Sequence, residues 1–194
     1  MSPAPLQPGL PPGVLRWPAL LSPADAAAAL HALVAALPWE SHTFRIFGRA
    51  LPMPRRICWF GPVPYAYSGV VHPPAPLPPA VAALQGAVVA ATGLPFNAVL
   101  CNLYRDGADS MGWHTDDDHP SGGQPAVASL SLGAARRFCW RARDGSARWE
   151  TTLQAGELLL LPGPHLREVL HALPRDRRVS AARVNLTFRH HGAP

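Results

Sequence analysis

Residues 183–189 read RVNLTFR. Side chains alternate along an extended chain, so Arg183, Asn185, Thr187 and Arg189 share one face and Val184, Leu186 and Phe188 the other. The apolar set reads as core. Two guanidiniums and two hydrogen-bonding groups turned inward from a central strand are costly to bury without an anionic partner. A small dicarboxylate supplies one, because each guanidinium fork takes a carboxylate through two parallel hydrogen bonds. Asn102 and Tyr104, two apart on a strand expected at 96–104, could add neutral donors to the same anion.

Upstream, residues 102–118 read NLYRDGADSMGWHTDDD. His114 and Asp116 are also two apart, so on extended backbone an imidazole nitrogen and a carboxylate oxygen can reach one metal ion together. A third ligand is available in His171, within LHALP. Two histidines and one carboxylate form the face that suits iron(II) and leaves three positions open for substrate and dioxygen. A surface-loop pair is the bland alternative for His114 and Asp116, and the nearby arginine strand argues against it. His119, His165 and His190 have no partner at a useful spacing and read as solvated; His72 reads as an exposed loop residue.

The order N-x-Y, H-x-D, H and R-x-N-x-T-x-R resembles the AlkB family of iron(II)- and 2-oxoglutarate-dependent dioxygenases, which remove alkyl groups from nucleic-acid bases. The likeness runs from about Phe44 to His190. It implies a mainly β (α+β) chain with flanking helices around a double-stranded β-helix, or jelly-roll, core. It also implies Fe(II) on His114, Asp116 and His171, with Asn102, Tyr104, Arg183, Asn185, Thr187 and Arg189 around 2-oxoglutarate and O2 as cosubstrate. I-F-G, P-R and Y-x-Y-S-G within residues 44–69 resemble the duplex-DNA members. By that likeness Ile46, Phe47 and Gly48 form a wedge entering the base stack, Arg55 touches backbone near the target, and Tyr65 and Tyr67 line the pocket. Asp117 is the acid expected to accept a proton from the exocyclic amino group of a damaged base, with Asp118 as the alternative. The implied reaction is oxidative demethylation of bases such as 1-methyladenine and 3-methylcytosine in duplex and single-stranded DNA. The competing readings are an oxygenase of the same fold acting on RNA or protein, and a non-catalytic jelly-roll module that binds nucleic acid.

Composition bounds the rest. The 194 residues suit one domain. The 24 prolines are more than twice the usual share of about 5%, so many connections should be stiff and extended. With 17 Lys+Arg against 12 Asp+Glu and a net charge of +5, the surface should favour polyanions. Cys58, Cys101 and Cys139 are odd in number and form no C-x-x-C pair, which speaks against a disulfide framework or zinc knuckle and for a reducing cytoplasm. The longest apolar run, 26–37, is too short for the ~20 residues of a membrane span. A soluble, cytoplasmic monomer is expected.

Residues 1–14 are punctuated by proline and glycine and are expected to form a flexible or surface-draped tail, with a single domain at 15–191. Ser22-Pro23-Ala24-Asp25 predicts a helix start, running to about residue 37. Basic and aromatic residues interleave in 44–69, as in surfaces that hold phosphates and stack bases. A second helix is expected at 79–92, closed by Gly93. The jelly-roll core is expected over 94–190, with strands at 96–104, 127–132, 137–143, 148–153, 158–162 and 183–189 and a turn at Asp144-Gly145.

Overall fold

A computed structural model describes residues 9–46, 49–67, 69–116 and 126–191. In chain order, strand β1 (Leu15–Trp17) and helix α1 (Pro23–Ala36) precede β2 (Thr43–Ile46), β3 (Arg49–Pro52), β4 (Arg56–Phe60), β5 (Tyr65–Tyr67) and β6 (Val70–His72). Helix α2 (Pro79–Thr92) leads into β7 (Ala98–Tyr104), β8 (Met111–His114), β9 (Ala126–Gly133), β10 (Arg136–Ala142), β11 (Arg148–Leu153) and β12 (Leu158–Pro162). A one-turn helix, α3 (His165–Glu168), then joins β13 (Val169–Leu173) and β14 (Arg183–Arg189).

Both long helices begin and end where their residues dictate. Ser22 Oγ accepts from the Asp25 amide at 3.1 Å and Pro23 occupies the first turn, where no donor is lost. Gly93 ends α2 with φ at 72°, the left-handed conformation that favours glycine. The helices pack on one face of a six-stranded antiparallel sheet in the order β1-β12-β9-β14-β7-β4. Leu33 and Val88 meet Leu130, Val184, Leu186 and Phe188 there. Its other face is opposed by a four-stranded antiparallel sheet, β11-β10-β13-β8. Val127, Leu159 and Leu161 from the first sheet pack with Trp140, Leu153 and Val169 from the second. Two facing antiparallel sheets form the jelly-roll core that the sequence implied.

Strands β11, β12 and β14 and helix α2 have the expected bounds, and β7, β9 and β10 differ by one or two residues at their ends. Other expectations need correction. Leu10 and Val14, within the stretch read as a tail, are buried in the cluster between the sheets. Residues 56–60, within the segment read as nucleotide-recognising, form edge strand β4 of the main sheet, and Ile57, Cys58, Trp59 and Phe60 are all buried. His72 is 3% exposed, not a loop residue in solvent. Among the described residues no helix is long and apolar enough to cross a membrane.

The connection after β7 is clamped to the one after β13, which fixes the strands that carry the polar residues. Gly107 donates to Val179 O and accepts from the Asp176 amide, and a Cβ there would sit 1.7 Å from Asp176 O. Only glycine fits this approach. The buried Arg136 guanidinium donates to the carbonyls of Asp106, Asp109 and Pro174, at 3.1, 2.8 and 2.8 Å, tying the same two connections together.

Candidate active site

Strand β14 lies between β7 and β9, and its register places Asn185 opposite Asn102 on one side and Ser131 on the other. Period-two alternation then turns Arg183, Asn185, Thr187 and Arg189 away from the helices and toward the four-stranded sheet. All four are buried. On the facing sheet β8 pairs with β13 so that His114 stands opposite His171, with ring centroids 4.2 Å apart. Asp116, just past β8, completes the group. One ligand atom from each of His114, Asp116 and His171 lies within 4.8 Å of the others.

These nine residues that the sequence singled out, including Asn102 and Tyr104, line one cavity between the sheets, and Tyr65 lines it too. Arg189 donates through NH2 to Asp116 Oδ1 at 2.7 Å and through NH1 to Asp116 O at 3.2 Å. Asp116 Oδ2 is 3.3 Å from His171 Nε2. Arg183 donates to Ser131 Oγ at 2.8 Å, and its Cζ lies 5.4 Å from the Tyr104 ring centroid. Asn185 Nδ2 donates to Ser129 Oγ at 2.8 Å and to Leu130 O at 3.2 Å, while its Oδ1 accepts from Thr187 Oγ1 at 3.1 Å.

Burial pushes the Asp116 carboxyl up, but Arg189 and the two histidines outweigh it and hold the group well below the usual carboxylate range. Burial, reinforced by His171, lowers His114 to about 4. Burial also lowers Arg183, to about 10, against the pull of Tyr104. Arg183 therefore stays cationic at neutral pH, although no carboxylate among the described residues pairs with it. Its Nε is buried with no hydrogen-bond partner.

The residues fit both groups that the motifs imply. Two imidazole nitrogens and one carboxylate converge on the four-stranded side, the donor set that suits iron(II). A buried guanidinium lacking a counter-ion, beside Tyr104, Asn102 and Asn185, suits a carboxylate ligand.

Arg55, expected at nucleic-acid backbone, is 3% exposed, and its Nε donates to Asn102 Oδ1 at 2.9 Å. Phe47, Gly48 and Asp117 lie outside the described residues, as do Asp118 and His119, and so do the side chains of Ile46 and Tyr67. Sequence reasoning missed Ser129 and Ser131, which hold the polar face of β14. The signal was present, since the two serines alternate with Ala128, Leu130 and Leu132 in AVASLSLG. It also missed Phe138, whose ring stacks on His171 with centroids 5.4 Å apart.

Fold and site together define an iron- and 2-oxoglutarate-type oxygenase framework. The sequence matches the 2OG-Fe(II) oxygenase superfamily over residues 13–189, and the chain belongs to that superfamily. Its relatives there are alkB homologues. It is 34% identical over 192 residues to the alpha-ketoglutarate-dependent dioxygenase alkB homolog 3 of Rattus norvegicus, covering 92% of this chain and 65% of the rat protein. It is likewise 34% identical to the Homo sapiens alkB homolog 3, covering 92% of this chain and 67% of the human protein. Against the DNA oxidative demethylase ALKBH2 of Mus musculus it is 35% identical over 155 residues, 75% of this chain and 65% of that protein. The chain thus spans about two thirds of the length of these relatives. A solved structure of OsALKBH1 shares the fold, with a TM-score of 0.68 and 17% identity over 97% of this chain and 100% of that one.

Proposed function

We propose that this chain is an Fe(II)- and 2-oxoglutarate-dependent dioxygenase that oxidatively demethylates N-alkylated bases in DNA, 1-methyladenine and 3-methylcytosine among them, as direct-reversal repair. The observation that carries the reading is Arg183. A buried cation without a carboxylate partner among the described residues shares one cavity with three convergent metal donors. A module that only bound nucleic acid would have no use for such a pocket.

His114, Asp116 and His171 would hold the iron, which with 2-oxoglutarate and O2 bound would supply oxidation of the alkyl carbon; the hydroxylated adduct then breaks down to an aldehyde and the restored base. The chain's own residues bind and orient. Arg189 occupies Asp116 Oδ1 and so leaves Oδ2, beside His171, for the metal. Arg183 and Tyr104 would take a carboxylate of the cosubstrate with Asn102 as a further donor, while Asn185 and Thr187, whose donors are engaged by Ser129, Leu130 and each other, would line the site around it. The walls Leu100, Phe138, Leu161 and Leu173 keep water from the reacting atoms.

A base within a duplex cannot present its Watson-Crick edge to this cavity and must be flipped out, at a cost of a few kcal/mol that is least for a lesion unable to pair. Tyr65 would receive it. Its ring lines the cavity and is held by stacking on Trp59, with centroids 4.4 Å apart. Phe47 and Gly48 would wedge the stack, Tyr67 would add to the pocket wall, and Asp117 would accept a hydrogen bond from the base amino group. The net charge of +5 favours a polyanionic substrate. Three free cysteines, two of them buried, accord with a reducing cytoplasm, where the chain would act as a monomer.

The test is succinate release and base repair with iron and 2-oxoglutarate, on oligonucleotides carrying each lesion in single-stranded DNA, duplex DNA and RNA. Repair of DNA coupled to succinate is expected. Turnover on RNA alone, or succinate release that no nucleic acid stimulates, would assign the fold to another substrate.

A further inference from the structure

A second group of potential metal ligands lies apart from the active-site triad. Glu40, His42 and His72 each offer one ligand atom within 4.8 Å of the other two. His42 Nε2 is 3.0 Å from Glu40 Oε2, and His72 Nδ1 is 3.4 Å from the same oxygen. The two imidazoles meet edge to face, with centroids 5.1 Å apart. The His42 contact does not behave as a hydrogen bond. His42 Nε2 is buried and unpartnered despite its 3.0 Å approach, because the carboxylate oxygen lies off its N–H direction. A nitrogen that approaches an oxygen without pointing at it, with a second imidazole nitrogen close to the same oxygen, is the arrangement that ligands adopt around a shared cation.

We propose that Glu40, His42 and His72 form a second metal site, of the zinc class, that fastens the feet of two hairpins. Zinc bonds of about 2.0–2.1 Å at tetrahedral angles set ligand atoms roughly 3.3 Å apart, close to the two separations seen here. Two imidazoles and one carboxylate suit zinc and not magnesium, which prefers oxygen alone. The Glu40 side chain is 51% exposed, so water can complete the shell.

The site is preorganised by backbone pairing. Glu40 exchanges hydrogen bonds with Ile57 of β4, and His42 O accepts from the Met53 amide, just after the β2–β3 hairpin. His72 closes the β5–β6 hairpin directly opposite Tyr65. A metal there would bind the entry to β2–β3 to the end of β5–β6, behind the tyrosine that lines the cavity. The proposal concerns metal binding and does not depend on the chemistry of the cavity.

Zinc stoichiometry on the full chain tests it. The protein is stripped with chelator, loaded with Zn(II), freed of excess and assayed for metal, because zinc also fills an iron-type triad. Two equivalents are expected for the wild type, and one each for His42→Ala, Glu40→Gln and His114→Ala. Zn(II) should raise the melting temperature of His114→Ala by roughly 5 °C or more, and Mg(II) should not. Adding His42→Ala or Glu40→Gln to that variant should abolish the shift. Glu40→Gln is half exposed and keeps its shape, so it reports even where a histidine variant folds poorly. One equivalent in the wild type, two in Glu40→Gln, or an equal shift with Mg(II) would overturn the site.

Discussion

Arg189 NH2 and Asp116 Oδ1 meet at 2.7 Å with both side chains buried, joining the arginine strand on one sheet to the metal-ligand group on the other. Arg183, six residues along the same face, makes no such bond to the triad. The two arginines should therefore fail differently. Lysine keeps the charge but loses the planar fork. Arg183→Lys should raise the 2-oxoglutarate requirement by roughly 30-fold, about 2 kcal/mol, with the iron requirement unchanged. Arg189→Lys should raise both requirements. Titrations of each against succinate release decide it, and equal effects on iron in the two variants would refute the division of labour.

His114→Ala, Asp116→Ala and His171→Ala should each lose turnover, since each removes one of the three proposed ligands. Their folding should differ. Asp116 is the carboxylate paired with buried Arg189. Asp116→Ala should cost about 3 kcal/mol, roughly 6–12 °C in Tm for a chain of this size. His114 is only half-buried, and His114→Ala should melt near the wild type. Near wild-type repair by any of the three variants would remove that residue from the ligand set.

The site was legible because alternation is a rule about faces. In RVNLTFR the polar residues could only share one side, and the register with Asn102 and Ser131 followed from pairing. Strand β13 was not legible. VLHAL has no alternation, and its five residues show burial on nearly all faces. Nothing local marks His171 as facing His114; the pairing of β13 with β8 does. Arg55 misled for a related reason. A basic residue amid turn formers suggests a surface, yet the chain reverses there into β4 and carries the guanidinium inward to Asn102. The group of Glu40, His42 and His72 spans three separate segments, and only hairpin closure brings them together.

Asp109 gives the fold a pH-dependent fastening away from the triad. It accepts from the Arg105 backbone amide and from the Arg105 side chain, at 2.8, 2.8 and 2.7 Å. Burial raises its pKa, but those bonds and the charge of Arg136 outweigh it, so the carboxyl titrates below its ordinary value. A lowered folded pKa contributes stability that is complete above the unfolded value of about 3.9 and is lost as pH falls through the folded one. Asp109→Asn should therefore lower stability at pH 7 by about 1–3 kcal/mol. The gap from wild type should close as the pH drops below about 4. Melting curves across that range check the sign; a gap that widens toward acid would place the stabilising charge elsewhere.

Phe47 should matter for duplexes and little for single strands. In the sequence Arg45-Ile46-Phe47-Gly48, an apolar bulk stands next to a glycine in a basic and turn-rich stretch. Such a residue, with Arg45 and Arg49 close to it in sequence, suits insertion between bases. Apolar wedges recover part of the unstacking cost of a few kcal/mol per step, and a single strand has no gap to fill. Phe47→Ala should lower the rate on a methylated duplex tenfold or more, about 1.4 kcal/mol or above, and change the rate on the same lesion in single-stranded DNA much less. An equal decline on both substrates would make Phe47 a pocket wall. No change on either would remove the hairpin from the DNA altogether.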